Sequence, residues 1–138
     1  MGLYLCIFDN NEEEIEGMEI GRYEYFGMFR DRVATYIEND EWGSICTTLM
    51  SHSDCDGIWT PEDCKHLLKE LELIKNKFKQ LPIDKEVKTY KLAILFNHDV
   101  TPKNLYECFV DTDGENLIER LEDLCKISIE SGLDIEFQ

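Results

Sequence analysis

The chain has 138 residues, with 30 Asp and Glu against 14 Lys and Arg, for a formal net charge of −16. Such a field repels nucleic acid and anionic membranes and speeds encounter with a cationic partner. A hydrophobic fraction of 43% and a mean hydropathy of −0.37 suit one soluble globular domain over residues 1–138; no apolar run approaches the ~20 residues that span a bilayer.

Leu3 to Phe8 is a short apolar run rich in Tyr, Ile and Phe and reads as a buried strand. Asp9 to Glu16 reads as an acidic loop with nothing to bury, and Met18 to Ile20 as a second short strand ended by Gly21. From Tyr23 to about Glu38, the apolar residues Phe26, Phe29, Val33, Tyr36 and Ile37 recur at helical spacing. Gly27 is the flaw in that helix, costing about 1 kcal/mol against Ala. Ser44 to Ser51 is β-branched and apolar and reads as extended. Thr60-Pro61-Glu62-Asp63 then opens a helix: Thr60 as N-cap, Pro61 at the first helical position, and acids at the positive end of the dipole. Its apolar face runs through Cys64, Leu67, Leu68, Leu71, Ile74, Phe78 and Leu81 until Pro82.

Residues 83–96 fit a helix through Ile83, Val87, Tyr90 and Ile94, although Leu92 to Phe96 alone would suit a strand. Thr101-Pro102 predicts a short helix with Leu105, Tyr106 and Phe109, and a last helix begins near Gly114 and ends at Gly132. Leu133 to Phe137 closes the chain as a strand. Strands at both ends with helices between predict an α+β fold, a small sheet containing both terminal strands packed with three to five helices.

Six cysteines (Cys6, Cys46, Cys55, Cys64, Cys108, Cys125) make an even number, but no pair is spaced C-x-x-C. Met1 to Phe8 lacks a basic stretch, so no signal peptide is expected, and Cys6 stands where a myristoylation motif wants Ser or Thr. Reduced thiols acting as small hydrophobes in a cytoplasmic protein are the expectation. The acids are unevenly placed: residues 1–41 hold eleven, with three arginines, and so supply half of the net charge.

The densest chemistry lies in His52-Ser53-Asp54-Cys55-Asp56-Gly57-Ile58-Trp59, just before the Thr60 helix start. Asp54-Cys55-Asp56-Gly57 is echoed by Asp111-Thr112-Asp113-Gly114, and both D-x-D-G turns precede a helix. Asp that accepts backbone N–H bonds and Gly that permits a tight turn explain both; a Mg²⁺ or Ca²⁺ site is the chemical alternative. An EF-hand fails, because with Gly57 as sixth position the first and twelfth are His52 and Asp63. Zinc could draw on His52, Cys55, Cys64 and His66, but on one helix Cys64 and His66 point about 200° apart. A thiol or metal-dependent enzyme would use His52, Ser53, Asp54, Cys55 and Asp56, although neighbours in sequence are rarely posed as a catalytic set. No P-loop, G-x-S-x-G or paired-glycine fingerprint is present. The expectation is therefore no catalytic residues, no metal and no cofactor. Trp59 should want burial, which favours a loop that fastens the central helix to the sheet.

Several stretches together resemble the immunity protein 70 family, encoded beside bacterial polymorphic toxins. They are Met1 to Phe8, His52 to Trp59 with Pro61-Glu62-Asp63, Asn104 to Gly114, Leu117 to Leu121, and Phe137-Gln138. The resemblance spans nearly the whole chain, weakest over Ile83 to Asp99. It implies a cytoplasmic inhibitor that binds a cognate toxin domain, with no catalytic residues to carry over. Many such toxins attack nucleic acid and need basic residues to hold phosphates. Glu12, Glu13, Glu14 and Glu16, with Asp54 and Asp56, are the expected contacts to a basic toxin C-terminal domain. His52, Asp54, Cys55, Asp56, Gly57, Trp59, Asp111, Asp113 and Gly114 are the expected structural motifs.

Overall fold

The computed structural model describes residues 2–138. Strands β1 (Gly2–Phe8) and β2 (Glu14–Arg22) lead into α1 (Tyr23–Tyr36), α2 (Thr47–Met50), β3 (Ile58–Trp59) and α3 (Pro61–Phe78). Then come α4 (Lys85–Tyr90), α5 (Leu92–Asn97), α6 (Leu105–Cys108), α7 (Leu117–Ser131) and β4 (Ile135–Phe137). The class is α+β, and the four strands form one antiparallel sheet of order β2-β1-β4-β3. The terminal strands lie side by side as expected, with Leu5 opposite Phe137 and Cys6 opposite Glu136. Among the described residues, no helix is long and apolar enough to cross a membrane.

α3 follows from local chemistry. Thr60 Oγ1 accepts from the Asp63 backbone N–H at 3.1 Å, and Asp63 Oδ2 accepts from the Thr60 N–H at 3.0 Å. This reciprocal box satisfies two donors that a helix start leaves orphaned. Cys64, Leu67, Leu71, Ile74 and Phe78 are fully buried at helical spacing, and each large apolar side chain so buried contributes about 1.5–3 kcal/mol. α3 packs against α7, where Lys75 Nζ donates to Glu122 Oε1 at 3.0 Å. The core continues through Phe29, whose ring meets Phe109 at 5.2 Å and Phe78 at 6.2 Å.

Among the described residues, seven helical segments exceed the three to five expected, for two reasons. The 83–96 stretch is helical, but it divides at Lys91. Ser44 to Ser51, expected to be extended, instead contains α2. Glu38, just past the end of α1, reaches forward to accept the N–H groups of Gly43, Ile45 and Cys46, while Glu70 of α3 accepts those of Thr48 and Leu49. Arg30 of α1 donates from Nη1 to the carbonyls of Leu49 and His52. Buried charges on α1, on α3 and just beyond the end of α1 thus cap both ends of a turn that its own β-branched residues disfavour.

Other boundaries move for smaller reasons. β2 begins at Glu14, so the expected acidic loop is shorter, and Glu14 and Glu16 are strand residues paired with Phe8 and Ile7. α6 starts after Asn104 rather than at Pro102, and α7 after Asn116 rather than near Gly114. Each Asn side chain accepts the N–H three residues on, a capping role that the Thr-Pro and Gly signals concealed. Gly132 does end α7, at φ +72°. A further strand, β3, was not expected at all.

Candidate functional site

His52 organises its loop. Its Nδ1 lies 2.8 Å from the Ser53 carbonyl oxygen and its Nε2 lies 2.8 Å from that of Ile58. A neutral imidazole donates to only one of these oxygens, and an imidazolium donates to both. The ring stacks on Phe137 of β4 at 4.2 Å and stands 5.3 Å from Trp59, which is itself buried edge-on against Phe137 at 4.7 Å. Gly57 turns the chain at φ +93°, where a Cβ would come within 3.2 Å of His52 Cε1. The Gly57 carbonyl then accepts from the Phe137 N–H. These contacts tie the loop to the sheet edge and to the start of α3.

That arrangement is poor for catalysis. Both His52 nitrogens face main-chain carbonyls, so neither is free to take a proton from Cys55. Cys55 is exposed, with its Sγ 3.5 Å from Ser53 Oγ. The four zinc candidates scatter: Cys64 is buried on the core face of α3, while His66 is exposed beside Glu62. Cys64 meets Cys125 of α7, and that thiol–thiol hydrogen bond, with burial, pushes Cys125 far above the usual thiol range. Among the described residues, no three His, Cys, Asp or Glu side chains are arranged to hold a metal ion.

The second D-x-D-G turn is built differently. Asp111 is fully buried, and its Oδ1 accepts from the N–H groups of Asp113 and Glu115 at 2.9 and 3.0 Å. Its Oδ2 has no hydrogen bond and faces Arg120 Nε at 3.5 Å. Burial holds this carboxyl above the ordinary carboxylate range despite those N–H donors. Beside it, Lys91 Nζ donates to the Val110 carbonyl at 2.6 Å and sits 4.0 Å over the Tyr25 ring. The turn is pinned to the outer edge of β2, because the Thr112 N–H donates to the Glu19 carbonyl.

The expected partner contacts fall in two places. Glu12 and Glu13 are exposed at the β1–β2 turn, where Asp9 Oδ1 accepts from the Glu13 N–H and Glu12 takes φ +61°. Glu14 Oε1 accepts the Tyr4 hydroxyl at 2.7 Å; that hydrogen bond, with burial, pushes the Tyr4 hydroxyl up to about 12. Glu16 is 3.8 Å from Arg120, so part of its charge is already answered. Asp54 and Asp56 are exposed in the His52 loop, which leads into β3. The strand order therefore sets the two acidic groups at opposite edges of the sheet. Glu136 of β4 lies between them, together with Tyr4, Phe8 and Ile58. None of these four stands out in the sequence, because the all-apolar look of Leu3 to Phe8 hides which side chains turn outward.

Fold and surface define a small, strongly acidic α+β protein whose two polar loops brace the sheet. A family model described as Immunity protein 70 matches residues 3–137, and the chain belongs to that family. Membership makes it an immunity protein directed against a toxin. No curated protein and no solved structure matches the chain.

Proposed function

We propose that this protein neutralises a cognate bacterial polymorphic toxin by binding its C-terminal toxic domain directly, with no catalysis of its own, in the cytoplasm of the cell that makes it. Family membership over residues 3–137 carries this reading. The net charge of −16 favours a basic toxin domain, such as a nuclease that must hold phosphates, over nucleic acid or membrane as the partner. Glu12, Glu13, Glu14, Glu16, Asp54 and Asp56 are the proposed contacts. Glu12 and Glu13 matter most among them, since neither is tied to a side chain of the fold as Glu14 and Glu16 are.

The test is protection. Co-expression with the toxin domain encoded beside it should rescue cell growth, and the complex should dissociate as salt rises. Glu12→Lys with Glu13→Lys, which leaves the β1–β2 pairing intact, should weaken the complex and flatten its salt dependence. A chain that protects no cell and captures no toxin would overturn the proposal.

A further inference from the structure

β1 alternates across the sheet. Leu3, Leu5 and Ile7 join the cluster that the helices bury, whereas Tyr4, Cys6 and Phe8 stand outside it. Cross-strand pairing extends that second face: Cys6 lies opposite both Gly17 and Glu136, and Glu136 lies opposite Ile58. Tyr4 reaches along it to Glu14. Tyr4 and Phe8 are only half-buried there and Ile58 is 43% exposed, while Cys6, between Tyr4 and Phe8, is fully buried. One face of the sheet thus carries no helix layer, and it mixes aromatic and aliphatic surface with carboxylates.

Those carboxylates lack counter-charges. Among the described residues, no ion pair involves Asp9, Glu12, Glu14 or Glu136. Phe8, Asp9, Glu12 and Glu136 line a cavity of about 450 Å³ at the hairpin end of this face. The acids do not converge closely enough for a metal ion. A guanidinium or ammonium group is larger, tolerates that spacing, and gains from an aromatic ring beside the carboxylates. Edge pairing along β2 is already hindered, because the Thr112 N–H occupies the Glu19 carbonyl. The face, not that edge, is what a partner can meet.

We infer that this helix-free face, from Glu14 across Tyr4 and Phe8 to Glu136 and Ile58, receives a basic segment of the toxin, with an arginine or lysine side chain entering the cavity beside Phe8. The inference rests on the immunity reading above and gives it a surface: the face joins the two acidic groups that the sheet otherwise separates.

Hexa-arginine peptide, titrated at low salt into the full-length protein and followed by amide and aromatic NMR shifts, tests it. Shifts should concentrate on Tyr4, Phe8, Glu14, Ile58 and Glu136. Glu14→Gln with Glu136→Gln, which keeps an acceptor for Tyr4, should weaken binding roughly tenfold. Glu72→Gln with Asp123→Asn removes the same charge from exposed helix positions and should leave affinity nearly unchanged. Equal weakening by both pairs, or shifts centred on Asp54 and Asp56 or on the helices, would overturn the surface. The co-expression assay judges the immunity role separately, so a chain that protects cells but fails this mapping keeps its role and loses this face.

Discussion

Two turns of the chain share the spelling D-x-D-G, and the fold treats them as opposites. In Asp111-Thr112-Asp113-Gly114 the first carboxylate is sealed inside and holds two backbone donors, with Arg120 and Lys91 close by. In Asp54-Cys55-Asp56-Gly57 both carboxylates are exposed, and the holding is done by His52, Phe137 and Trp59 instead. A motif reports a turn's backbone needs; burial decides whether its carboxylate is structural. The Asp111 turn fixes the outer edge of β2, whereas the Asp54 turn leaves its charges available to a partner.

Substitutions can break that contrast. Asp111→Ala strands two backbone N–H groups in the interior and should cost about 2–3 kcal/mol in urea unfolding; Asp111→Asn, which keeps Oδ1, should cost less. Gly114→Ala should follow at about 1–2 kcal/mol, since φ is +79° and the new Cβ would sit 2.6 Å from His98 Cβ. Gly57→Ala should cost about 1 kcal/mol, because it too is left-handed but its nearest neighbour, a His52 ring atom at 3.2 Å, is less crowded.

Lys91 sharpens the contrast through pH. Burial lowers its amine from 10.5 to about 8. Between those values the unfolded chain binds the proton and the folded chain does not, so the contribution of Lys91 to stability rises with pH across that window. The buried thiols of Cys6 and Cys46, pushed up by burial, instead lower stability as pH climbs past their unfolded values. Lys91→Met should remove the Lys91 contribution, so the wild-type midpoint in urea should gain on the variant's as pH rises from about 8 towards 10.5. The smallest effect belongs to Asp54→Asn with Asp56→Asn, which should leave the urea midpoint in place; any large shift would show that the exposed turn is structural after all.

Part of the molecule is legible in the residue order alone: the strand at each end, the Thr60-Pro61 helix start and the acid-rich first third. The outward half of β1 is not. Tyr4, Cys6 and Phe8 are as apolar as Leu3, Leu5 and Ile7, so alternation gives no sign of an open face. Glu136 is equally silent, one acid among 30, until pairing sets it beside Cys6 and Ile58.

α3 and α2 show where sequence ends and tertiary structure begins. Thr60, Pro61 and Asp63 lie within four residues of one another and satisfy the helix start with their own side chains, so the chain determined α3 by itself. α2 takes its acceptors from Glu38 and Glu70 and its cation from Arg30. Those partners stand 8 to 22 residues away in the chain, and a hydrogen bond made at that range exists only once the helices carrying it have packed.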